Sequence, residues 1–558
     1  MHKVLTAGLV GLMFWCSAAV AAELLHNGIE LSDRWPPRRG LDEIPKKPPY
    51  LKNIPPVIPV DHGRQLFVDD FLVDEMKGLW RTHHSAEFHK VNPSITFDKP
   101  WEMAGDSPIA YPYSGGVWFD PTDNLFKMWY AAHLDMRGGH AYGYHVICMA
   151  TSKDGIHWDK PNLDVEPGTN IVLREYIDST TVWLDYNEKD PAKRFKLFGC
   201  DVSTFSKGGQ NQVKFVLFYS PDGIHWTNSG EKHFGKMGDR STVAYNPFRN
   251  VWIGSIKWHS SDHGRCRAYM EHTDAAKLIT NHVNCVSWAV ADEMDPRNPT
   301  AEFAHIKPQI YNLDCMPYES MMLGLFAIWR GPDNRKVAEL GSQKYCDLLL
   351  GYSRDGFHWD RPWRKPFIEQ TNNARAYNFA NVQSVGGGCL VVGDRLFFYV
   401  SSKYPDLTGA HARCSGALAT LRRDGFVSID ANEPLGTLTT NPIKFEDPHL
   451  FINVDAPRGE VRVEILDEFG KPIPGYAADE CISIQCDKTL MPVHWDGLSD
   501  LRHITGKPVR LRFYLQNASL YSFWTSASEE GASGGYVAAG GPGFDRPVDD
   551  KGKRAYQK

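Results

Sequence analysis

One seven-residue pattern recurs along this chain and constrains it more than any other feature. Serine, any residue, Asp-Gly, any residue and His-Trp appear at Ser152–Trp158 and Ser220–Trp226, and at Ser353–Trp359 with Phe357 in the second variable place. Decayed copies fall at Thr273-Asp274 and at Arg423-Asp424-Gly425-Phe426, so the five aspartates (154, 222, 274, 355, 424) lie 52 to 81 residues apart. Each copy follows a strand-like apolar run such as Val146–Met149 or Phe215–Phe218. Asp-Gly between such runs is a tight-turn signal, because glycine accepts positive φ and aspartate bonds its own turn. The following Trp then packs into the side of the sheet, and the box histidines 157, 225 and 358 read as structural.

A second element lies 35 to 44 residues before four of the box aspartates. It reads Tyr113–Pro121, Asp178–Asp185, Asp239–Pro247 and Glu319–Leu323, each leading into a further apolar run. In the fifth unit the same offset falls near Gln383. Five units of about four short strands predict an all-β fold, a five-bladed β-propeller. The 48 Gly and 36 Pro, with 17 Trp, 23 Tyr and 28 Phe, suit many strands and turns. After about Thr440 the period changes. Val461–Leu466 and Val509–Leu515 alternate cleanly and predict a C-terminal β-sandwich.

The expected organisation is a signal peptide over 1–21, a Pro-rich arm over 22–60, the propeller over 61–440, the sandwich over 441–528 and a flexible tail over 529–558. His2 and Lys3, the apolar run Val4–Val20 and the small residues Ala19-Val20-Ala21 carry the secretory reading, which implies a secreted or periplasmic chain with no membrane span once cleaved. Leu66–Val73 is a candidate to close the ring by pairing with the last blade. Of the 11 Cys, Cys481 and Cys486 alone are close enough to suggest a local disulfide. No CxxC, HExxH, phosphate loop or dinucleotide fingerprint occurs, so neither a metal nor a cofactor is expected. A net charge of −6 argues against nucleic acid as partner.

Repeated strand–box units followed by a sandwich resemble the five-bladed propeller glycoside hydrolases, families 32, 43, 68, 117 and 130, and the C-terminal part is most similar to that of family 32. The resemblance covers about residues 61–525 and implies a carbohydrate-cleaving enzyme. Family 32 carries Asn-Asp-Pro, Arg-Asp-Pro and Glu-Cys in its first three blades. Here Tyr113 stands in the first slot, Ile177-Asp178-Ser179 in the second and Gly238-Asp239-Arg240 in the third, while Glu319-Ser320 comes one blade later. Fructan specificity is therefore not implied.

In a propeller the first strand of each blade lines the axis, so Asp178, Asp239 and Glu319 are expected around one mouth. Glycoside hydrolysis needs a proton donor and an opposed carboxylate. Glu319, with the longer arm, is assigned as general acid and Asp178 or Asp239 as base or nucleophile. Asp106, Tyr113, His133, Arg240, His259 and Arg330 are candidate substrate-binding residues, and the charged ones leave room for an anionic sugar. A propeller mouth makes a blind pocket, which favours exo action on an oligo- or polysaccharide. The competing readings are a non-catalytic sugar-binding propeller, a polysaccharide lyase and a sialidase-like enzyme. The last is disfavoured because sialidase boxes separate Asp and Gly by one residue.

Overall fold

The computed structural model describes residues 22–556 except 104–107, 135–143, 176, 202–213, 235–237, 281–284, 334–335, 337–338, 341–343, 372, 374–375, 379–380 and 405–412. The expected signal segment lies outside the described residues. Nearly all the regular structure is β.

Five four-stranded antiparallel sheets account for residues 117–422 with short additions from elsewhere. Their first strands are β1 (Val117–Asp120), β2 (Ile177–Leu184), β3 (Thr242–Asn246), β4 (Gln309–Glu319) and β5 (Val382–Val392). Each touches the next, and β5 touches β1, so the first strands close a ring. In three of the sheets the remaining strands follow outward in chain order, the fifth takes its outermost strand from Glu87–Phe88, and β4 adds a short strand on its free side.

The boxes stitch neighbouring sheets together. Within a box, the aspartate side chain accepts from the two backbone amides that follow the glycine, as Asp154 does from Ile156 and His157 at 2.8 Å each. Its second oxygen meets the box histidine, 2.8 Å from His157 Nδ1. The turn then offers a carbonyl to the adjacent sheet. Trp129 of the first sheet donates to Gly223 O of the second box at 2.8 Å, Trp288 of the third donates to Phe357 O of the fourth at 2.8 Å, and Tyr399 of the fifth donates to Gly155 O of the first. The third copy has become a helix cap. Asp274 accepts from Ala276 and Lys277 at the start of the helix Ala275–Thr280, whose Leu278 and Ile279 are fully buried.

Two six-stranded sheets enclose a separate apolar core. Val509, Leu511, Phe513 and Leu515 face it in strict alternation. These sheets take more of the chain than expected. Val427–Ala431 and Gly436–Thr440 belong to them, as do Ile58–Pro59, Gln65–Leu66, Val73–Lys77 and Trp80–His83 from the N-terminal side. Leu66–Val73 therefore does not pair with the last sheet of the ring. That role falls to Glu87–Phe88, which pairs with Ala419 and Thr420. The physical reason is that Leu66, Phe67, Val68, Phe71 and Leu72 are all buried without alternation, as a segment wedged between layers requires.

The segment from 529 onward, expected to be loose, is packed. Tyr536–Val537 pairs with Tyr318–Glu319 of β4, and Asp549 is fully buried. Its glycines serve close approach, since a Cβ on Gly541 would lie 1.8 Å from Val391 O. Cys481 and Cys486 are free thiols, and Cys481 Sγ accepts from Val463 N at 3.2 Å.

Gly223 has φ +81°, and a Cβ there would meet Trp129 at 2.4 Å, whereas Gly168 has φ +90° and nothing within 4 Å. Gly223→Ala should cost about 2–4 kcal/mol in denaturant unfolding and Gly168→Ala only about 1. Equal losses would show that the box turn does not press on its neighbour.

Candidate active site

The ring brings its functional side chains to the N-terminal ends of the first strands. Three non-glycine residues there hold positive φ: Tyr113 (56°), Ser179 (55°) and Arg240 (65°). Such backbone is costly for L-residues and persists where the surroundings fix it. At β2 it coincides with a break in register between Asp178 and Thr181, a device that re-aims a strand end. Ser179 Oγ joins two of these entries, accepting from Arg240 N at 2.8 Å and donating to Asp178 at 3.1 Å.

The surroundings of Asp178 and Asp239 shift their carboxyls in opposite directions. Burial, reinforced by the negative charge of Asp239, pushes the Asp178 carboxyl up to about 6. Burial also opposes ionisation of Asp239, but the Lys257 ammonium, in direct ion pairing with it, outweighs burial and holds its carboxyl below the ordinary range. Both keep some access to solvent. Two acidic groups whose environments drive their proton affinities apart are the arrangement that acid–base chemistry needs.

Around this pair stand cations and a buried carboxylate. The Arg240 guanidinium lies 3.4 Å above the centre of the Tyr113 ring and donates to Gln383 Oε1. Arg267, fully buried, donates to the carbonyls of Arg240 and Tyr311 at 2.8 and 2.7 Å. Asp314 of β4 accepts from Asn312 Nδ2 at 2.9 Å and from Ser384, and burial raises its carboxyl. Lys344 donates to Tyr311 OH at 3.1 Å, and burial with the nearby Arg265 charge lowers its ammonium to about 8.

Asp178, Asp239, Tyr113 and Arg240 thus lie together at the entries of the first strands. Glu319 does not. It ends β4, five residues beyond Asp314, which at ~3.3 Å per residue is about 16 Å down the strand. There it is wholly buried, accepting from Arg64 N at 3.1 Å, Arg423 at 3.0 Å and Ser533 at 2.8 Å. The assignment of Glu319 as general acid is therefore corrected. Aligning Leu323 with Val117, Val182 and Val243 matched the second strand of the fourth sheet, Met321–Trp329, to the first strands of the others. Arg330 is engaged by Asp347. His259 is exposed on the face of its strand that also carries Lys257. Asp106 and the side chain of His133 lie outside the described residues. Sequence reasoning missed Lys257, Arg267, Tyr311, Asp314 and Lys344. Only Asp314 carried a usable signal, as the one acidic residue in the interior of the true first strand of the fourth unit.

No family model and no curated protein matches the sequence. Several solved structures are similar in fold. A fructofuranosidase from Schwanniomyces occidentalis complexed with fructosylnystose aligns with TM-score 0.37 and 10% identity over 79% of this chain and 98% of its own. A β-1,2-mannobiose phosphorylase from Listeria innocua, in complex with β-1,2-mannobiose, aligns at 0.40 and 14%, over 60% and 96%. A putative glycosidase from Bacteroides thetaiotaomicron aligns at 0.40 and 12%, also over 60% and 96%. Scores and identities this low leave the chemistry to be read from the site itself.

Glu319→Gln removes one partner from a buried ion network and should destabilise the chain by about 3–5 kcal/mol. The folded fraction should keep its turnover number. A loss of turnover in fully folded Glu319→Gln would return the residue to the catalytic machinery.

Proposed function

We propose that the chain is a glycosidase acting on an oligo- or polysaccharide, with Asp178 as proton donor and Asp239 as the opposed carboxylate. The observation that carries this reading is the Asp178–Asp239 pair itself, one member pushed up to about 6 by burial and the Asp239 charge, the other held below the ordinary carboxylate range beside the Lys257 ammonium. A protonated carboxyl can deliver a proton to the leaving oxygen, while an ionised one serves as base or nucleophile. The five ring sheets are read as the blades of a β-propeller and the two six-stranded sheets as a sandwich beside it, the latter taking strands from both ends of the ring. Closure of the first strands into a ring, with Asp314 and Arg267 buried beneath the pair, favours a blind pocket and hence attack at chain ends. The apolar N-terminal segment supports export.

The pH dependence follows from the protonation states. Asp178 acts when protonated, so the rate should hold below pH of about 6 and fall about tenfold per unit above it. The acid limb reports Asp239, which must be ionised. Lys257→Met removes the charge that keeps it so, and should move that limb to higher pH and narrow the active window. Asp178→Asn should lower kcat by about 10²–10⁴-fold on natural saccharides. It should lose far less on dinitrophenyl glycosides, whose leaving group needs no proton. A screen of aryl glycosides and polysaccharides checks all three, and an Asp178→Asn enzyme equally impaired on both kinds of leaving group would remove the donor role.

A further inference from the structure

Three cations crowd one phenol ring at the ring mouth. Lys344 Nζ lies 4.9 Å from the centre of the Tyr311 ring, and the guanidinium carbons of Arg240 and Arg265 lie 5.6 and 5.7 Å from it. Among the described residues none of the three has a carboxylate partner. Lys344 donates to the Tyr311 hydroxyl, Arg265 to Gln309 Oε1 at 2.9 Å and Arg240 to Gln383 Oε1. Arg240 Nε and Nη1 are buried and have no hydrogen-bond partner among the described residues. Asp239 is already paired with Lys257, and Asp314 is occupied by Asn312 and Ser384. With Arg267 and Lys257 the site holds two more cations than carboxylates, in a chain whose net charge is −6. Like charges at such separations repel through a partly buried medium, and Arg265 and Lys344 remain partly exposed. A neutral sugar would leave that excess uncompensated, whereas an oxyanion would meet it with charge-assisted hydrogen bonds.

We propose that the mouth takes an acidic sugar, whose carboxylate or sulfate group seats against Lys344, Arg265 and Arg240 beside the Asp178–Asp239 pair. This rests on reading that pair as sugar-cleaving. Lys344 and Arg265 are the residues that select for the charge.

The test uses the full chain in affinity electrophoresis with polygalacturonate, alginate and chondroitin sulfate. Each is run beside its carboxyl-reduced or desulfated counterpart, and inorganic phosphate is titrated separately by calorimetry. At least one acidic polymer should bind about tenfold or more tightly than its neutral form. Lys344→Gln and Arg265→Gln should each cut that ratio below about threefold, with near-ultraviolet circular dichroism reporting the fold. Lys444→Gln, exposed in a six-stranded sheet, should leave the ratio unchanged. The carboxylate and sulfate arms identify which acid group is read. The proposal is overturned if no acidic polymer is preferred, if the preference survives in a folded variant of either residue, or if phosphate binds and no acidic polymer does. Binding is read without turnover, so the two readings fail separately. An acidic polymer bound but never shortened sinks the glycosidase reading alone, and a neutral polymer shortened while acidic ones are ignored sinks this one alone.

Discussion

Two buried arginines hold this molecule together. Arg64 reaches Asp424 at 2.9 Å and stacks 4.0 Å over Trp524, while Arg423 reaches Glu319 at 3.0 Å and Asp549 at 2.8 Å. The participants come from the N-terminal segment, the fourth and fifth sheets of the ring, the second six-stranded sheet and the C-terminal tail. Each charge has lost its water, a cost that only good geometry and further hydrogen bonds offset. Here they are supplied by Tyr318, Ser522, Ser533 and Asn453. Such a network adds little net stability over apolar packing, yet it tolerates one arrangement of those five segments. It also accounts for the packed tail, since without the tail's Asp549 and Tyr556 the Arg423 guanidinium would face Glu319 alone.

The same constraint keeps the far end of the ring available for chemistry. With β4 anchored through Glu319 at one end, its other end presents Asn312 and Asp314 beneath the axis, level with Gln383 and Ser384 of β5 and with the entries of β2 and β3. The carboxylates at those entries differ not in kind but in neighbours. Lys257 projects from the second strand of the third sheet and reaches Asp239, and among the described residues no ammonium pairs with Asp178. One side chain therefore helps drive the proton affinities of two aspartates apart.

Most of the fold was legible in the residues. The boxes announced tight turns between sheets, and the bonds from Trp129, Trp288 and Tyr399 into neighbouring boxes show why the pattern is kept. Alternation in 509–515 announced a half-buried strand. Two compositional inferences misled. A Gly-rich tail looked loose because composition does not distinguish glycine as a hinge from glycine as a point of close approach. Pairing of Leu66–Val73 with the ring looked plausible because an apolar run does not say which layers it lies between.

The repeating strand-and-turn unit, the turn positions and the acidic residues at the second and third entries were determined by the sequence alone, because periodicity and turn chemistry are local and act within a few residues. Which end of β4 faces the site, which aspartate pairs with Lys257 and which cations lack a carboxylate partner among the described residues were decided only by the tertiary structure. A repeat aligned by its apolar residues can slip by a whole strand without violating any local rule, as Leu323 shows. Proton affinity depends on burial and on charges brought near by distant parts of the chain, as Lys257 brings its charge to Asp239 and Arg265 brings its own to Lys344.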